Sequence, residues 1–279
     1  MSASRFLNAS TRPPAVAGTF YPDDPDELRQ RVSEYMASAD LPVALAGRDA
    51  KAILAPHAGY LYSGPIAGTA FRALATVPKR VVVLSPSHRV AFDGIALPTT
   101  QAFATPLGTV AIDDQARVSL ATLPQIQLDD HPHADEHGIE VELPFLQVLS
   151  EQHGTPCPSL VPLVVGRANV DQVAEALDLI WGNPKDSETL ILISSDLSHF
   201  LTYDQAARRD HDTVERILTG ASDLRPEDAC GATAINGLQL STHRDTLEPY
   251  LLDLRSSGDT AGNKNSVVGY CAIAFHPKL

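Results

Sequence analysis

Three short apolar runs in this chain each give way to a histidine, and that repetition constrains the fold more than any other feature. Lys51-Ala-Ile-Leu-Ala-Pro56 leads into His57, Arg80-Val-Val-Val-Leu84 leads through Ser-Pro-Ser to His88, and Thr189-Leu-Ile-Leu-Ile193 leads through Ser194-Ser-Asp196-Leu-Ser to His199. Runs of this length, rich in β-branched residues and bounded by Pro, Ser and Gly, are buried strands of an α/β sheet. Open sheets of that kind bind ligands outside the carboxyl ends of their strands. Three imidazoles delivered to one edge point to a metal or proton-transfer site.

The pattern along the chain supports a single domain behind an N-terminal arm. Residues 1–14 are polar, end in Pro13-Pro14, and read as a flexible arm; residues 15–279 form the domain. Asp23-Asp24-Pro25 opens a helix over 25–38, since proline suits the first helical position. A strand at 51–56, a helix at 65–75 and a strand at 80–86 form a right-handed crossover unit with parallel strands, which places His57 and His88 on sequential, adjacent strands. Between 91 and 112, Gly94–Leu97 and Leu107–Ile112 read as an antiparallel excursion about a Thr105-Pro106 turn. Residues 124–137 are loop-like, with His131 and His133 among acidic neighbours. Residues 138–149 read as a helix kinked at Pro144. A strand at 160–165, a helix at 169–181 capped by Asn169, the strand at 189–194, helices near 204–219, 227–240 and 244–254, and a closing strand at 266–275 complete the reading.

Composition narrows the function. With 279 residues and 44% apolar content, roughly 75% of the unfolded surface can be buried without disulfides. Lys+Arg 21 against Asp+Glu 34 gives a net charge of −13, which argues against nucleic acid and anionic membrane surfaces as partners. Cys157, Cys230 and Cys271 are few and far apart, as in a reducing compartment. No run reaches membrane-spanning length and the N-terminus lacks a signal-type apolar core, so a cytoplasmic location is expected. Nucleotide-binding glycine loops, HExxH, GxSxG and CxxC are all absent.

The histidines carry the chemistry. Two neutral imidazoles meeting at a sheet edge suit iron, copper or zinc, although a single strand-end histidine also serves as a cap. Asp196, three residues before His199, either fixes the tautomer of a general base or caps the following turn. Cys230 follows Arg225-Pro-Glu-Asp, a helix-start pattern whose macrodipole favours a thiolate, but taken alone it reads as a packed core thiol. His137 and Glu140, spaced HxxE, share a helix face that either looks into the pocket or does not.

Six ordered motifs then carry a family resemblance. Ala-Gly-Thr-Phe-Tyr-Pro22, Ala-Pro-His-Ala-Gly-Tyr60, Tyr62-Ser-Gly64, Ser-Pro-Ser-His88, Glu136-His-Gly-Ile-Glu-Val-Glu-Leu-Pro-Phe-Leu146 and Ser-Ser-Asp-Leu-Ser-His199 resemble the Memo-like proteins, called AmmeMemoRadiSam system protein B in bacteria and archaea. The resemblance implies a single three-layer αβα domain with a central, mostly parallel sheet, similar to class III extradiol dioxygenases. It implies a non-haem metal site of His57, His88 and Cys230, with His199 as base beside Asp196; Tyr60, His137 and Glu140 are the substrate contacts expected around that site. Fe(II) is the metal expected, with copper or zinc as alternatives. The expected activity is a dioxygenase-like oxidoreductase. A zinc hydrolase using the same residues and a non-catalytic peptide-binding adaptor are the competing readings. The substrate is an unidentified small molecule or peptide, and the family name implies association with radical-SAM and AMMECR-type proteins. One departure stands out: Gly138 occupies a position where the family usually carries serine, which loosens the helix start unless the lost hydroxyl lines the pocket.

Overall fold

The apolar runs become the middle of a nine-stranded sheet in the computed structural model, which describes residues 11–45, 47–182 and 188–278. The strands are β1 (Thr11–Arg12), β2 (Ala52–Ala55), β3 (Arg80–Pro86), β4 (Ile95–Leu97), β5 (Ala102–Thr105), β6 (Gly108–Ala111), β7 (Ile126–Leu128), β8 (Ser159–Val165), β9 (Thr189–Ser194), β10 (His199–Leu201), β11 (Leu247–Ser256) and β12 (Val267–Pro277). The helices are α1 (Pro25–Ala37), α2 (Tyr60–Arg72), α3 (Asp114–Leu120), α4 (His131–Ala134), α5 (Leu143–His153), α6 (Val170–Trp181), α7 (Tyr203–Thr219) and α8 (Ala232–Leu240).

Strand order in the main sheet is β10-β12-β2-β9-β3-β8-β4-β7, with β11 also paired to β12. The central strands β2, β9, β3 and β8 are mutually parallel, while β12 is antiparallel to β2. Both faces of this core are covered, as a parallel sheet requires. Ile53, Val81, Val83, Leu190 and Leu192 point into one layer, against α1, α2 and α5. Leu54, Val82, Leu84, Ile191 and Ile193 point into the other, against α6, α7 and α8. Each such side chain contributes about 1.5–3 kcal/mol on full burial. The result is the mixed α/β, three-layer αβα architecture with a mostly parallel sheet.

Several expectations need correction. β2 and β3 are parallel but not adjacent, because β9 inserts between them. The 91–112 excursion splits: β4 joins the main sheet beside β8, and the hairpin pairs β5 with β6 around Pro106-Leu107. Pro144 does not kink a helix; it sits at the start of α5, preceded by a 3-10 turn over Glu140–Glu142. At that position its missing N–H is one that a helix leaves unpaired in any case. In place of the helix expected at 244–254, a 3-10 turn over Arg244–Thr246 leads into strand β11. A register shift between Leu251 and Asp253 interrupts the regular pairing of this strand with β12.

The expected arm is also tied down where it is described. Residues 1–10 lie outside the described residues, but Thr11 and Arg12 pair with Ala102 and Phe103 of β5. Arg12 is buried. Among the described residues, no helix is long and apolar enough to cross a membrane.

Candidate metal centre

Parallel pairing of β2, β9 and β3 places their carboxyl ends side by side, and the loops that follow carry His57, Asp196 and His88 to one edge. The turn between α4 and α5 brings His137 to the same place. One ring nitrogen from each of His57, His88 and His137 lies within 4.8 Å of the others. The ring centroids are 4.9 Å apart for His57–His88, 5.3 Å for His57–His137 and 4.6 Å for His88–His137.

Two of the imidazoles are held from behind. Ser194 Oγ donates to the Gly138 carbonyl at 2.6 Å and lies 2.8 Å from His57 Nδ1. With its one proton committed to the carbonyl, the serine accepts from His57 Nδ1–H, and this tautomer leaves the His57 Nε2 lone pair facing the site. His88 Nδ1 is 2.7 Å from Glu136 Oε1, while the His88 backbone N–H donates to Oε2 of the same carboxylate at 2.7 Å. Glu136 also accepts from the backbone N–H groups of His137 and Gly138, each at 3.0 Å. His137 Nδ1 lies 3.3 Å from Glu136 Oε1 yet is too poorly aligned to form a hydrogen bond, so it is a buried nitrogen without a partner.

These surroundings set the charges. Burial, followed by the neighbouring His88, pushes His57 down to about 3. Burial and the adjacent imidazoles push His137 down as well. Both are therefore neutral near pH 7, the form that binds a metal. Burial works against ionisation of Glu136, but the bonds from His88 and the backbone outweigh it and hold the carboxyl well below its ordinary range. A carboxylate behind a histidine whose other nitrogen faces a site is the usual second layer of a metal centre. The orphaned His137 nitrogen and this donor set fit a cation of the imidazole- and thiolate-binding group.

Cys230 lies just before α8, with Sγ 3.2 Å from His57 Nε2 and accepting from the Asp196 backbone N–H at 3.3 Å. It touches one imidazole rather than completing the three-histidine cluster. The helix-start argument for a thiolate does not hold, because α8 begins only at Ala232 and burial, with Asp196 adding to it, pushes the thiol up to about 12. A recess of about 270 Å³ opens beside Cys230, walled by Val90, Phe92, Val165, Arg167 and Ala234.

Other expected residues have different partners. The Asp196 carboxylate accepts from the His57 backbone N–H at 2.8 Å, so it shapes the His57 turn; none of its described hydrogen bonds goes to His199. His199 is half-buried on β10, close enough for its charge to act on His57 and Asp196. Its ring stacks edge-on against Phe200, which adopts a left-handed backbone with φ 61°. Tyr60 buries its hydroxyl, donating to the Val141 carbonyl at 2.6 Å. Glu140 is fully buried and accepts from Arg12, the Ala15 and Val16 backbones and the Tyr21 hydroxyl. The substrate contacts expected of Tyr60 and Glu140 are thus replaced by internal hydrogen bonds. His133 is buried against Ala96 and Phe103 rather than solvated. Sequence reasoning does not single out Glu136 and Ser194 as site residues, although both lie within recognisable motifs; their role depends on partners far away in the chain.

A side chain at position 138 would compete for space with Ser85. A Cβ there would lie 2.0 Å from Ser85 Oγ and 3.2 Å from His57 Nδ1. The Ser85 hydroxyl occupies the room a side chain at 138 would need.

Comparison with known proteins gives a consistent result. The Memo-like protein family matches residues 12–274. A MEMO1 family protein of Methanopyrus kandleri is 36% identical over 288 residues, covering 95% of this chain and 98% of its own. A MEMO1 family protein of Sulfurisphaera tokodaii is 30% identical over 281 residues, covering 95% and 99%, and one of Aquifex aeolicus is 31% identical over 279 residues, covering 95% and 98%.

Proposed function

The chain belongs to the Memo-like protein family, and we propose that it is a metal-dependent redox enzyme of dioxygenase-like type, holding Fe(II) or copper on His57, His88 and a third donor. The observation that carries this reading is the convergence of three imidazoles, two of them fixed from behind by Ser194 and Glu136 with the second nitrogen left to the site. The third donor is Cys230 or His137. Cys230 already lies at His57 Nε2, and ligation would remove its proton. Imidazole and thiolate together select iron, copper or zinc over hard cations, and a redox-active ion there would supply electron transfer.

The chain's own residues supply the rest. Ser194 and Glu136 fix which nitrogen each histidine presents. His199 is half-buried at the rim, and no hydrogen bond ties its ring among the described residues, so it is placed to take or return a proton. The recess beside Cys230 gives a small substrate a walled approach from which water can be displaced.

The test is anaerobic titration with Fe(II), Cu(I) and Zn(II), read by elemental analysis, on wild type and on His57→Ala, Cys230→Ala and His137→Ala. Wild type should take up one equivalent and His57→Ala none; whichever of the other two loses the metal identifies the third donor. His199→Ala should keep its metal and lose oxygen consumption. Zinc uptake without oxygen consumption would favour the hydrolytic alternative, and no stoichiometric uptake by wild type would sink the metal reading.

A further inference from the structure

The segment from Arg12 to Phe20 runs behind the candidate centre and touches the elements that carry its histidines. The guanidinium of Arg12, on a side chain only 4% exposed, donates from Nε to the His133 carbonyl at 2.6 Å and from Nη2 to the Glu136 carbonyl at 2.6 Å. Its Nη1 meets Glu140 Oε2 at 2.5 Å and the Pro13 carbonyl at 3.3 Å. Glu140 in turn accepts the backbone N–H groups of Ala15 and Val16, closing the segment onto the 3-10 turn. Further along, the Phe20 ring packs on His137 at 4.8 Å, and the Phe20 carbonyl accepts from the Tyr60 backbone N–H at 2.7 Å, just past His57.

We infer that Arg12 is a positioning residue for the centre: its fork bridges the carbonyls of His133 and Glu136 and thereby sets the turn that aims Glu136 at His88 and places His137. This rests on the metal reading above and deepens it. Two features argue for positioning beyond ordinary packing. The fork reaches the backbone of Glu136 itself, the residue whose side chain orients His88. Its two carbonyl acceptors also bracket the tight turn with a planar geometry that a lysine ammonium cannot reproduce. Charge compensation of Glu140 alone would need neither carbonyl.

The test uses the full chain and Co(II) as probe, reading its affinity, its ligand-field absorption spectrum and, separately, the thermal midpoint of the metal-free protein. Arg12→Lys keeps a buried cation for Glu140 but loses the fork. It should weaken Co(II) binding by about 10–100-fold, the range for outer partners of metal ligands, and shift the absorption bands. Arg12→Met combined with Glu140→Gln removes the ion pair without leaving a lone buried charge, so the protein retains a route to folding; it should show the same spectral shift. Glu140→Gln alone, which leaves both carbonyl bonds in place, should lower the thermal midpoint while binding Co(II) with the wild-type spectrum. If wild type binds Co(II) and the two Arg12 variants match it in affinity and spectrum, the inference is wrong and the metal reading survives. If wild type takes up no Co(II), both fall.

Discussion

Two glutamates six residues apart, Glu136 and Glu142, are both buried and end in opposite states. Glu136 lies in the turn at the sheet edge, where the His88 ring and three backbone N–H groups converge on its oxygens and keep it ionised. Glu142 lies one turn deeper, fully buried, with Ser194 Oγ at 3.1 Å from one oxygen and no hydrogen-bond partner for the other. Burial raises its carboxyl well above the ordinary range. Burial alone therefore does not set the charge of a carboxylate; the supply of donors does. The donors at Glu136 come from the loop after β3 and from the turn ahead of the 3-10 segment, whereas the Glu142 backbone N–H is already bonded to the Ile139 carbonyl.

This contrast can be broken at several points. The largest effect is expected from Glu136→Ala, which strips four hydrogen bonds from the turn. It should cost about 1–3 kcal/mol of stability, as buried donors left without a partner do, and abolish tight metal uptake; denaturant midpoints and metal titration measure both. A variant that keeps wild-type metal affinity would show that Glu136 does not orient His88.

Glu142→Gln should have the opposite character. The folded carboxyl titrates above its ordinary 4.5, so its contribution to stability is fully present below that value and is lost as pH rises toward the folded pKa. The wild type should therefore fall relative to Glu142→Gln by roughly 1.4 kcal/mol per pH unit above about pH 5. Urea midpoints at pH 5 and pH 7 measure this, and parallel curves would mean that Glu142 is ionised in the fold.

Gly138 sits between the two carboxylates in the chain and sharpens the comparison at the smallest scale. Gly138→Ser should cost about 1–3 kcal/mol through overpacking against Ser85. Adding Ser85→Ala should recover most of the loss, and a double-mutant cycle measures that coupling. Additive costs would mean that the two positions do not compete for the same space.

Much of the site is legible in the sequence because it rests on local pattern. An apolar run followed by histidine marks a strand end, so the amino-acid order alone assigns His57, His88 and His199 to one edge. What is not legible depends on partners distant in the chain. Glu140 reads as a pocket residue because HxxE looks helical, yet Arg12, 128 positions earlier, claims it. Strand β11 has the same origin: its extended form is held by pairing with β12, about 20 positions later in the chain.

The sequence by itself determined the α/β class, the strand ends and the family, because side-chain periodicity and motif order are properties of neighbouring residues. Only the tertiary structure decided that β9 lies between β2 and β3, that His137 joins the two strand-end histidines, and that Glu136 and Ser194 hold the rings. Those outcomes follow from strand order and from which buried donors and acceptors find each other, since a buried polar group must be paired inside the fold with whatever the chain brings next to it.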